Sequence, residues 1–433
     1  MKTVDLLVLD ASEVVTVAAG ARGPARGRAA MNDLGVVRVA SNAIVAGRIV
    51  AIGPTNDVTR TWRGRERVFA SGRAVLPGFV DAHTHPVFAR WRADEFARRC
   101  RGESYEAILA AGGGILASAQ ALEAADEATL EAGLAARVDE VLRHGTTTME
   151  AKSGYGLSVE AELKSLRVIR AVGRRSRVRL VPTFLGAHAI PAAYAKRRAT
   201  YVRLVTDVMI PAVAKQRLAA FCDVFCEQGA FTKAESATIL RAAARHGLAR
   251  KIHADEFGDS GGAALAARAK ATSAEHLGGT GPAGIRALAK AGVVPVLLPT
   301  TSLFLRLAKK PDARAMIDAG CAVALASDFN PGSSPTGNLL LTAALGCSML
   351  GMTPEEAITA ITRNAAAAVG LSGEAGTIER GRRADLVVID ADSYVHVPYR
   401  LGTNHVRTVV RAGRVVVADG RVRPSLTPTG AST

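Results

Sequence analysis

The sequence predicts an α/β protein, a (β/α)8 TIM barrel with a small composite β-sandwich domain built from both chain ends. Three observations lead to this prediction. Short apolar runs alternate with helix-like stretches through the middle of the chain, both ends are rich in short strands and turns, and histidines stand where several middle strands would end. We expect the sandwich to comprise residues 1–74 and 372–433, and the catalytic barrel to comprise residues 75–371.

Both chain ends have the pattern of short strands separated by Gly/Asp turns. At the N-terminal end the pattern predicts strands at Asp5–Asp10, Ala46–Gly53 and Arg67–Ala70. At the other end, GTIERGRRADLVVID and VRTVVRAGRVVVADG continue the same pattern within residues 376–420. Two β-rich ends around a different middle indicate that the ends meet in one small domain.

The middle of the chain contains eight apolar, strand-like runs. They are Leu76–Ala82, Thr146–Ala151, Leu180–Gly186, Cys222–Glu227, Arg250–Ala254, Ala271–Glu275, Val293–Pro299 and Ala322–Ser327. The clearest helix-like stretches between and after them are Ala121–Arg143, Val159–Val172, Lys233–His246, Pro282–Ala291 and Pro354–Val369. Ser158, Thr232 and Thr353 each precede a helix with acids in its first turn, which is typical of N-caps.

An open, doubly wound sheet is the alternative to a barrel. That fold would place a phosphate or dinucleotide loop after an early strand, and no G-x-G-x-x-G follows one here. The glycines Gly112–Gly114 lie in a long connection, where we expect a flexible loop. Eight strand–helix units therefore favour the barrel.

Composition indicates a soluble, intracellular protein. Of the 433 residues, 48% are hydrophobic and 22% are charged, and no run approaches the roughly 18–20 apolar residues of a membrane helix. The start MKTVDLLVLDASEVV carries acids and is not typical of a signal peptide. Five cysteines are few and odd in number, which argues against a disulfide framework and favours the cytoplasm.

The chain is strongly basic, with 55 Lys and Arg residues and a net charge of +16. Such a charge suggests a nucleic-acid-binding protein. However, aromatic residues make up only 4%, and the basic residues are scattered along the chain. We therefore expect no nucleic-acid partner, and a general attraction for small anions instead.

Potential metal ligands stand at the ends of the predicted barrel strands. In an extended chain, His83 and His85 point to the same side, as two ligands of one ion would. Because the carboxyl ends of barrel strands form one face, ligand types at other strand ends would meet there. Those residues are His188, Glu227, His253 with Asp255 and Glu256, His276 and Asp328. Five of the nine histidines at one face predict a metal site.

This arrangement resembles the amidohydrolase superfamily, with His-x-His after strand one, His after strands five and six, and Asp after strand eight. GRIVAIG and GRRADLVVID at the two ends resemble the superfamily's sandwich domain. Within the superfamily, GTTTMEAKSGYGL, FLGAHA, HADEFGDSGGA, SAEHL and SDFNPGSSP are similar to the imidazolonepropionase family. The resemblance implies hydrolysis of a cyclic amide, 4-imidazolone-5-propanoate, to N-formimidoyl-L-glutamate in histidine degradation, and a homodimer.

The resemblance also implies one divalent metal ion, zinc or iron, bound by His83, His85, His253 and Asp328. Three neutral imidazoles and a carboxylate suit both ions, with water in an open position. Glu256 would carry a proton to the leaving ring nitrogen, and His276 would hold the water and the oxyanion. Asp328 would share the base role while bound to the metal.

The resemblance places substrate-binding residues around this centre. Arg92 would bind the propanoate carboxylate, with Arg90 as its near neighbour. Tyr155, His188 and Glu256 would contact the substrate as well. After strand eight, Asn330, Gly332 and Ser333 match positions that contact the substrate or product.

Three alternatives stay open at this point. A ring deaminase of the same superfamily would use a similar site on a purine or pyrimidine, although such bases lack the carboxylate that Arg92 would bind. A basic nucleic-acid-binding protein stabilised by metal is the rival from another class. Finally, three roles stay open for Glu227 after strand four: to support a second metal ion, to orient His83, or to hydrogen-bond a loop.

Overall fold

The structure, a computed structural model, describes residues 1–18, 23–103, 107–108 and 111–424. An eight-stranded sheet runs through the middle of the chain, and each strand is parallel to the next in chain order. Its strands are β6 (Phe79–Asp81), β7 (Thr146–Lys152), β8 (Arg179–Ala187), β9 (Phe221–Cys226), β10 (Ala249–Ala254), β11 (Ser273–His276), β12 (Val294–Leu297) and β13 (Ala324–Leu325). Each overlaps one predicted run, which confirms the TIM barrel.

The barrel closes between its first and last strands, just beyond the ends of β6 and β13. Thr84 and Phe329 form a parallel bridge. The amide of Asp328 donates to the carbonyl of His83 at 3.0 Å, and the amide of His85 donates to the carbonyl of Phe329 at 2.9 Å. The residues that close the barrel therefore include three of the four candidate metal ligands.

The two chain ends meet in a second sheet of nine strands, as predicted. Its N-terminal strands are β1 (Lys2–Val15), β2 (Val36–Val45), β3 (Arg48–Pro54), β4 (Trp62–Phe69) and β5 (Ala74–Pro77). Its C-terminal strands are β14 (Leu386–Ile389), β15 (Val406–Arg411), β16 (Arg414–Ala418) and β17 (Arg421–Val422). The strand order is β17-β16-β15-β14-β5-β1-β2-β3, and β4 also pairs with β1. The two ends join where β5 runs antiparallel to β14.

The predicted strand Leu76–Ala82 is in fact two strands in two different sheets. β5 ends at Pro77, which has no amide hydrogen to continue a ladder. Gly78 then donates its amide to Asp385, and Phe79 begins the barrel by donating to Gly145. A Cβ atom at position 78 would lie 2.3 Å from the hydroxyl of Thr147, so only glycine fits at this crossing point.

Helices surround the barrel and fill the connections. They are Gly27–Asn32, Thr55–Thr61, Ala93–Cys100, Gly114–Ala124, Glu127–Arg143, Val159–Arg175, Arg198–Arg203, Ile210–Lys215, Lys233–Arg245, Gly262–Arg268, Pro282–Ala291, Pro299–Phe304, Ala313–Asp318, Leu339–Leu350, Pro354–Ile361, Arg363–Ala368 and His396–Tyr399, with a 3-10 turn at Ala192–Tyr194 and a π-helical segment at Leu204–Met209. The caps predicted at Ser158, Thr232 and Thr353 are confirmed, the last two as capping boxes. No helix in these ranges has the length and apolarity that crossing a membrane requires.

Two helices predicted as continuous are each divided in two. Ala121–Arg143 is interrupted at Asp126, whose carboxylate accepts from the amide of Thr129 and starts a new helix. Pro354–Val369 is broken at Thr362, with φ −125° and ψ −94°. Beyond the break, Arg363 donates to the carbonyl of Gly23, and Asn364 accepts from the amide of Ala25. These contacts with the N-terminal segment explain the break.

Alternate residues of the barrel strands point in opposite directions. In β9, Cys222, Val224 and Cys226 belong to the large core that includes the surrounding helices, whereas Phe221 belongs to a separate apolar cluster with residues of β6, β8, β12 and β13. Asp223 shares the direction of Phe221 and is fully buried. The interior of the barrel is therefore apolar at the amino-terminal end of β9, and it becomes charged toward the carboxyl end of the strand, where Asp223 lies.

The crossing at Gly78 generates a stability prediction. We expect Gly78→Ala to reduce the free energy of unfolding by about 1–3 kcal/mol, because the added methyl group overlaps Thr147. The midpoint temperature of thermal unfolding should fall accordingly. Gly53→Ala in β3 is the matched control, since a Cβ atom there meets nothing within 4 Å. Equal midpoints for the two variants in thermal denaturation would contradict the steric argument.

Candidate active site

Four buried side chains meet at the carboxyl ends of three barrel strands. His83 and His85 follow β6, His253 is the penultimate residue of β10, and Asp328 follows β13. The Nε2 atom of His85 lies 3.2 Å from Nε2 of His83 and 3.3 Å from Nε2 of His253. Asp328 Oδ1 lies 3.5 Å from Nε2 of both His83 and His85. The predicted ligands are thus brought together.

This spacing fits a single metal ion. Tetrahedral ligands at about 2.1 Å from an ion are separated by about 3.4 Å, which matches these four distances. His83, His85 and Asp328 form one cluster of potential ligands, and His253 joins His83 and His85 in two others. Burial lowers the pKa of His83 and of His85 well below the ordinary range, so both rings are neutral and offer lone pairs. Neutral imidazoles and a carboxylate placed this close together form a donor set that suits a cation.

Asp328 is oriented by a neighbour that sequence reasoning missed. Thr301, in the helix after β12, donates its hydroxyl to Asp328 Oδ2 at 2.6 Å. Oδ1 is thereby left to face His83 and His85. Burial raises the pKa of Asp328 to about 6. A bound cation reverses this effect, because it stabilises the carboxylate.

Glu256 and His276 lie beside the four candidate ligands. The His276 Nδ1 atom is 3.6 Å from Glu256 Oε1, and both side chains are buried. Burial, together with repulsion from Asp328 and Glu227, raises the pKa of Glu256 well above its ordinary value. The Glu256 carboxyl group therefore keeps its proton at higher pH than a solvated glutamate, which suits a proton donor.

Asp255, noted beside His253 in the sequence, has a different place. Its carboxylate accepts from the amides of Ser260, Gly262 and Ala263 and from the hydroxyl of Thr280. It holds the loop after β10 and does not line the cavity described next.

Asp255, His276 and Asp328 all have left-handed backbones, with φ of 53°, 69° and 53°. Such strained conformations cluster at functional sites.

One cavity of ≈ 260 Å³ opens over the cluster. Every residue predicted to bind substrate lines it, together with His85, His253, His276 and Asp328. Those residues are Arg92, Tyr155, His188, Glu256, Asn330, Gly332 and Ser333. His83 lies deeper and is fully buried. Ile115, Phe225, Leu305 and Leu307 form apolar parts of the wall.

Arg92 is paired with Glu95 in the wall and lies against the backbone of Gly332. Its Nε lies 3.3 Å from Glu95 Oε2, and the Glu95 carboxylate also accepts from the amide of Gly114. A Cβ atom at position 332 would lie 1.6 Å from Arg92 Nη2, so the guanidinium crosses directly over this glycine. Glycine at 332 is therefore required for the position of Arg92. Glu95 was missed because its i,i+3 spacing from Arg92 is common on surface helices.

The loop that carries Tyr155 is fixed by a buried glutamate. Glu162 accepts from the amides of Gly154, Gly156 and Leu157 at distances of 2.7–3.2 Å. His188 Nδ1 donates to the carbonyl of Gly154, and its ring stacks on His85 with centroids 5.0 Å apart. Burial lowers the pKa of His188 to about 3, so the ring is neutral. This loop and His188 form one rigid side of the cavity.

The loop after strand eight is a turn organised by Asn330. Asn330 Oδ1 accepts from the amides of Gly332 and Ser333, both at 2.8 Å. Its Nδ2 donates to the carbonyl of Asp328 and to the hydroxyl of Ser333. Asn330, Gly332 and Ser333, which are predicted to contact the substrate, therefore also form this turn. Through Gly332, the turn forms the surface against which the Arg92 guanidinium packs.

Comparison with known proteins agrees with this architecture. Residues 74–416 match the model of the amidohydrolase family. The imidazolonepropionase of Symbiobacterium thermophilum is 49% identical over 98% of this chain and 100% of its own length. That of Geobacillus kaustophilus is 46% identical over 96% of this chain and 99% of its own. This chain belongs to the amidohydrolase family.

Solved structures share the fold at low sequence identity. An adenosine deaminase from Xanthomonas campestris with bound zinc has a TM-score of 0.74 at 19% identity, over 98% of this chain and 95% of that one. N-isopropylammelide isopropylaminohydrolase from Burkholderia multivorans has a TM-score of 0.67 at 20% identity, over 97% and 100% of the two chains. Together with the His/Asp clusters, the family indicates a divalent metal ion in this amidohydrolase.

Glu227 of this amidohydrolase binds a loop. Its Oε2 accepts from the amide of Phe257 at 3.0 Å, and its Oε1 accepts from the amide of Gln228 at 2.8 Å. In the described ranges it belongs to none of the clusters of three or more potential ligands. Of the alternatives that the sequence left open, these contacts favour the loop hydrogen bond, next to Glu256.

Sequence reasoning also missed a set of charged residues inside the barrel. They are Glu150, Lys152, Asp223, Lys251 and Glu275, all with side chains that are 0% exposed. Four of them lie within a run that was interpreted as a strand, and Lys152 directly follows the run Thr146–Ala151. Two spacings in the sequence could have signalled this set. Glu150 and Lys152 are two residues apart in β7, so their side chains share one side of the strand. Lys251 is two residues from His253, which places its charge on the same side as a candidate ligand.

Proposed function

We propose that this amidohydrolase is an imidazolonepropionase, which hydrolyses the cyclic amide C–N bond of 4-imidazolone-5-propanoate to N-formimidoyl-L-glutamate in L-histidine degradation. The observation that carries the proposal is one cavity lined both by the His/Asp cluster and by the buried Arg92. Relatives that bear this name are 43–49% identical over nearly the whole chain. The enzyme is a hydrolase of non-peptide carbon–nitrogen bonds and acts on a small molecule.

His83, His85, His253 and Asp328 would hold the metal ion. When bound, the ion supplies a Lewis acid and lowers the pKa of water toward about 7, so that hydroxide is available at neutral pH. Three imidazoles and one carboxylate accept zinc or iron, and we propose one of these two ions. His276, which lines the same cavity, would hydrogen-bond the attacking water and then steady the oxyanion.

The cavity residues would position the substrate for this attack. Arg92 binds the propanoate carboxylate, and Tyr155, His188 and the turn of Asn330, Gly332 and Ser333 surround the ring and its tail. Water adds to the ring carbonyl carbon, and the C–N bond then breaks. Glu256 delivers a proton to the departing nitrogen, for which its raised pKa prepares it. Asp328 assists by accepting a proton from the water.

Three further expectations belong to the same proposal. We infer a division into a composite β domain of residues 1–74 and 372–433 and a catalytic barrel of residues 75–371. The two sheets support two such units, and β5 (Ala74–Pro77) extends the composite sheet three residues past the inferred boundary. We also infer a homodimer and a cytoplasmic location.

A turnover assay tests the reaction directly. Purified protein is incubated with freshly made imidazolone propanoate, and loss of the ring chromophore, N-formimidoyl-glutamate and ammonia are measured with and without chelator. We expect chelator-sensitive ring opening without release of ammonia. Ammonia from a purine or pyrimidine would instead support a ring deaminase, and no turnover by metal-loaded protein would overturn the substrate assignment.

Arg92 can be tested against a neighbouring arginine. We expect Arg92→Ala to raise KM by about 10–100-fold with a smaller change in kcat, because charge-assisted hydrogen bonds contribute about 1.5–3 kcal/mol. Arg90→Ala is the control, since its exposed guanidinium pairs with Asp94 on the surface at 2.9 Å. Unimpaired turnover of the Arg92 variant at low substrate concentration would remove the carboxylate-binding role.

Glu256 is expected to act on protons and not on the metal. Glu256→Gln should retain its metal, measured by elemental analysis, and lose about 10²–10⁴-fold in kcat, as loss of a general acid does. The glutamine keeps the size of the side chain but has no proton to transfer at neutral pH. Loss of metal from this variant would instead place Glu256 among the ligands.

A further inference from the structure

The interior of the barrel contains a layer of buried charges beneath the candidate metal ligands. Its members are Glu150 and Lys152 of β7, Asp223 of β9, Lys251 of β10 and Glu275 of β11. TIM-barrel interiors are usually filled by branched apolar side chains. Burying a charge is costly, and a paired buried charge is often no better for stability than an apolar residue of the same size. The layer therefore calls for a role other than stability.

The charges of the layer form a connected chain. Lys152 Nζ lies 2.6 Å from Asp223 Oδ2 and 2.9 Å from Glu150 Oε2. Lys251 Nζ lies 2.8 Å from Glu150 Oε1 and 3.0 Å from the carbonyl of Ala82. Because Ala82 directly precedes His83, one end of the chain reaches the backbone of a candidate ligand.

At the other end, Asp223 reaches the ring of a second candidate ligand. Asp223 Oδ2 lies 3.0 Å from His253 Nδ1, somewhat off the ideal N–H direction, while Oδ1 accepts from the amide of Val224 at 2.7 Å. The other ring nitrogen, Nε2, faces His85. In the part of the chain that the structure describes, Nδ1 of all three rings lacks a well-aligned hydrogen bond. Among these three rings, His253 alone is paired with a carboxylate through Nδ1, whereas His83 and His85 face Asp328 through Nε2.

A carboxylate at the far nitrogen of a metal-binding imidazole fixes which nitrogen carries the proton. With the proton on Nδ1, Nε2 would keep its lone pair free to bind the metal ion. Lys152 supports this arrangement, because its ammonium group keeps Asp223 an anionic acceptor. An asparagine at 223 would lack that charge and could present its own N–H to Nδ1.

We propose that Asp223, paired with Lys152, is a positioning residue that holds His253 in the tautomer and orientation needed to bind the metal. The pair acts on metal affinity through His253 and touches neither the metal nor the substrate. This inference rests on the ligand set in the proposed function, and it is independent of the substrate assignment.

The test compares two charge-removing variants of the same buried layer. Asp223→Asn and Glu275→Gln each remove one buried carboxylate that pairs with a lysine. Glu275 contacts Lys251, the hydroxyl of Ser273 and the amide of Ile252, and none of these is a candidate ligand. Its carboxylate lies within 4.8 Å of a ring nitrogen of His253 but forms no ion pair with it. Zn²⁺ affinity is measured by competition with a chromophoric chelator, and the geometry at His253 by the visible spectrum of the Co²⁺-loaded protein.

We expect Asp223→Asn to bind Zn²⁺ about 10–100-fold more weakly than the wild type and to change the Co²⁺ spectrum. Glu275→Gln should change the affinity by less than about twofold, although both variants are expected to unfold at lower temperature. An Asp223→Asn affinity equal to that of Glu275→Gln would overturn the proposal and leave Asp223 a purely structural residue.

A double variant keeps the test decisive if Asp223→Asn alone does not fold. Asp223→Asn with Lys152→Met removes the pair without changing the net charge, and Glu150 keeps Lys251 as its partner. We expect this protein to fold, by circular dichroism, and still to bind Zn²⁺ weakly; wild-type affinity would overturn the proposal. His253→Ala tests the ligand set itself, and unchanged Zn²⁺ affinity in that variant would refute both the set and this inference.

Discussion

Closure of the barrel between its first and last strands is the constraint on which the site depends. β6 has three residues and β13 has two, so the strands themselves offer few hydrogen bonds. The seam is completed beyond them by backbone bonds of His83, His85, Asp328 and Phe329. Below these, the carboxylate of Asp81 accepts from the amide and the hydroxyl of Ser327. A metal ion held by His83, His85 and Asp328 would bridge the same seam, so that metal binding and barrel closure stabilise each other.

Polar residues above the apolar end of the barrel are placed by partners that are distant in sequence. Lys152 and Asp223 are separated by 71 positions, and Lys251 and Glu150 by 101. Each residue alone would be an unpaired buried charge, which is strongly unfavourable. The charges are tolerated only because the strands are in register, and the register in turn sets the height at which the histidines emerge. Thr301 and Glu162 act similarly, one orienting Asp328 and the other fixing the loop of Tyr155.

Sequence reasoning predicted features that depend on local pattern and missed those that depend on distant partners. The barrel strands, the caps at Thr232 and Thr353 and the meeting of the two ends follow from periodicity and turn residues, and the strand-end histidines follow from the geometry of barrels. The division of Leu76–Ala82 was not predictable in this way, because it depends on Thr147 leaving no space beside Gly78. Likewise, the break at Thr362 depends on the contact of Arg363 with Gly23. Asp223 gave no local signal, since its partner His253 lies on the next strand. The individual roles of the site residues came from resemblance, and the geometry adds how each is held.

The sharing of one sheet by both chain ends has a consequence for how the protein is made. β5 pairs on one side with β1 and on the other with β14, which begins at Leu386. During synthesis the N-terminal strands therefore emerge long before the strands that cover this edge, and the edge of β5 stays open while the whole barrel is translated. Open strand edges recruit other chains, and contacts of such long sequence separation form slowly. The strands from Leu386 onward thus protect the earlier ones, and loss of β14 exposes a strand edge prone to aggregation.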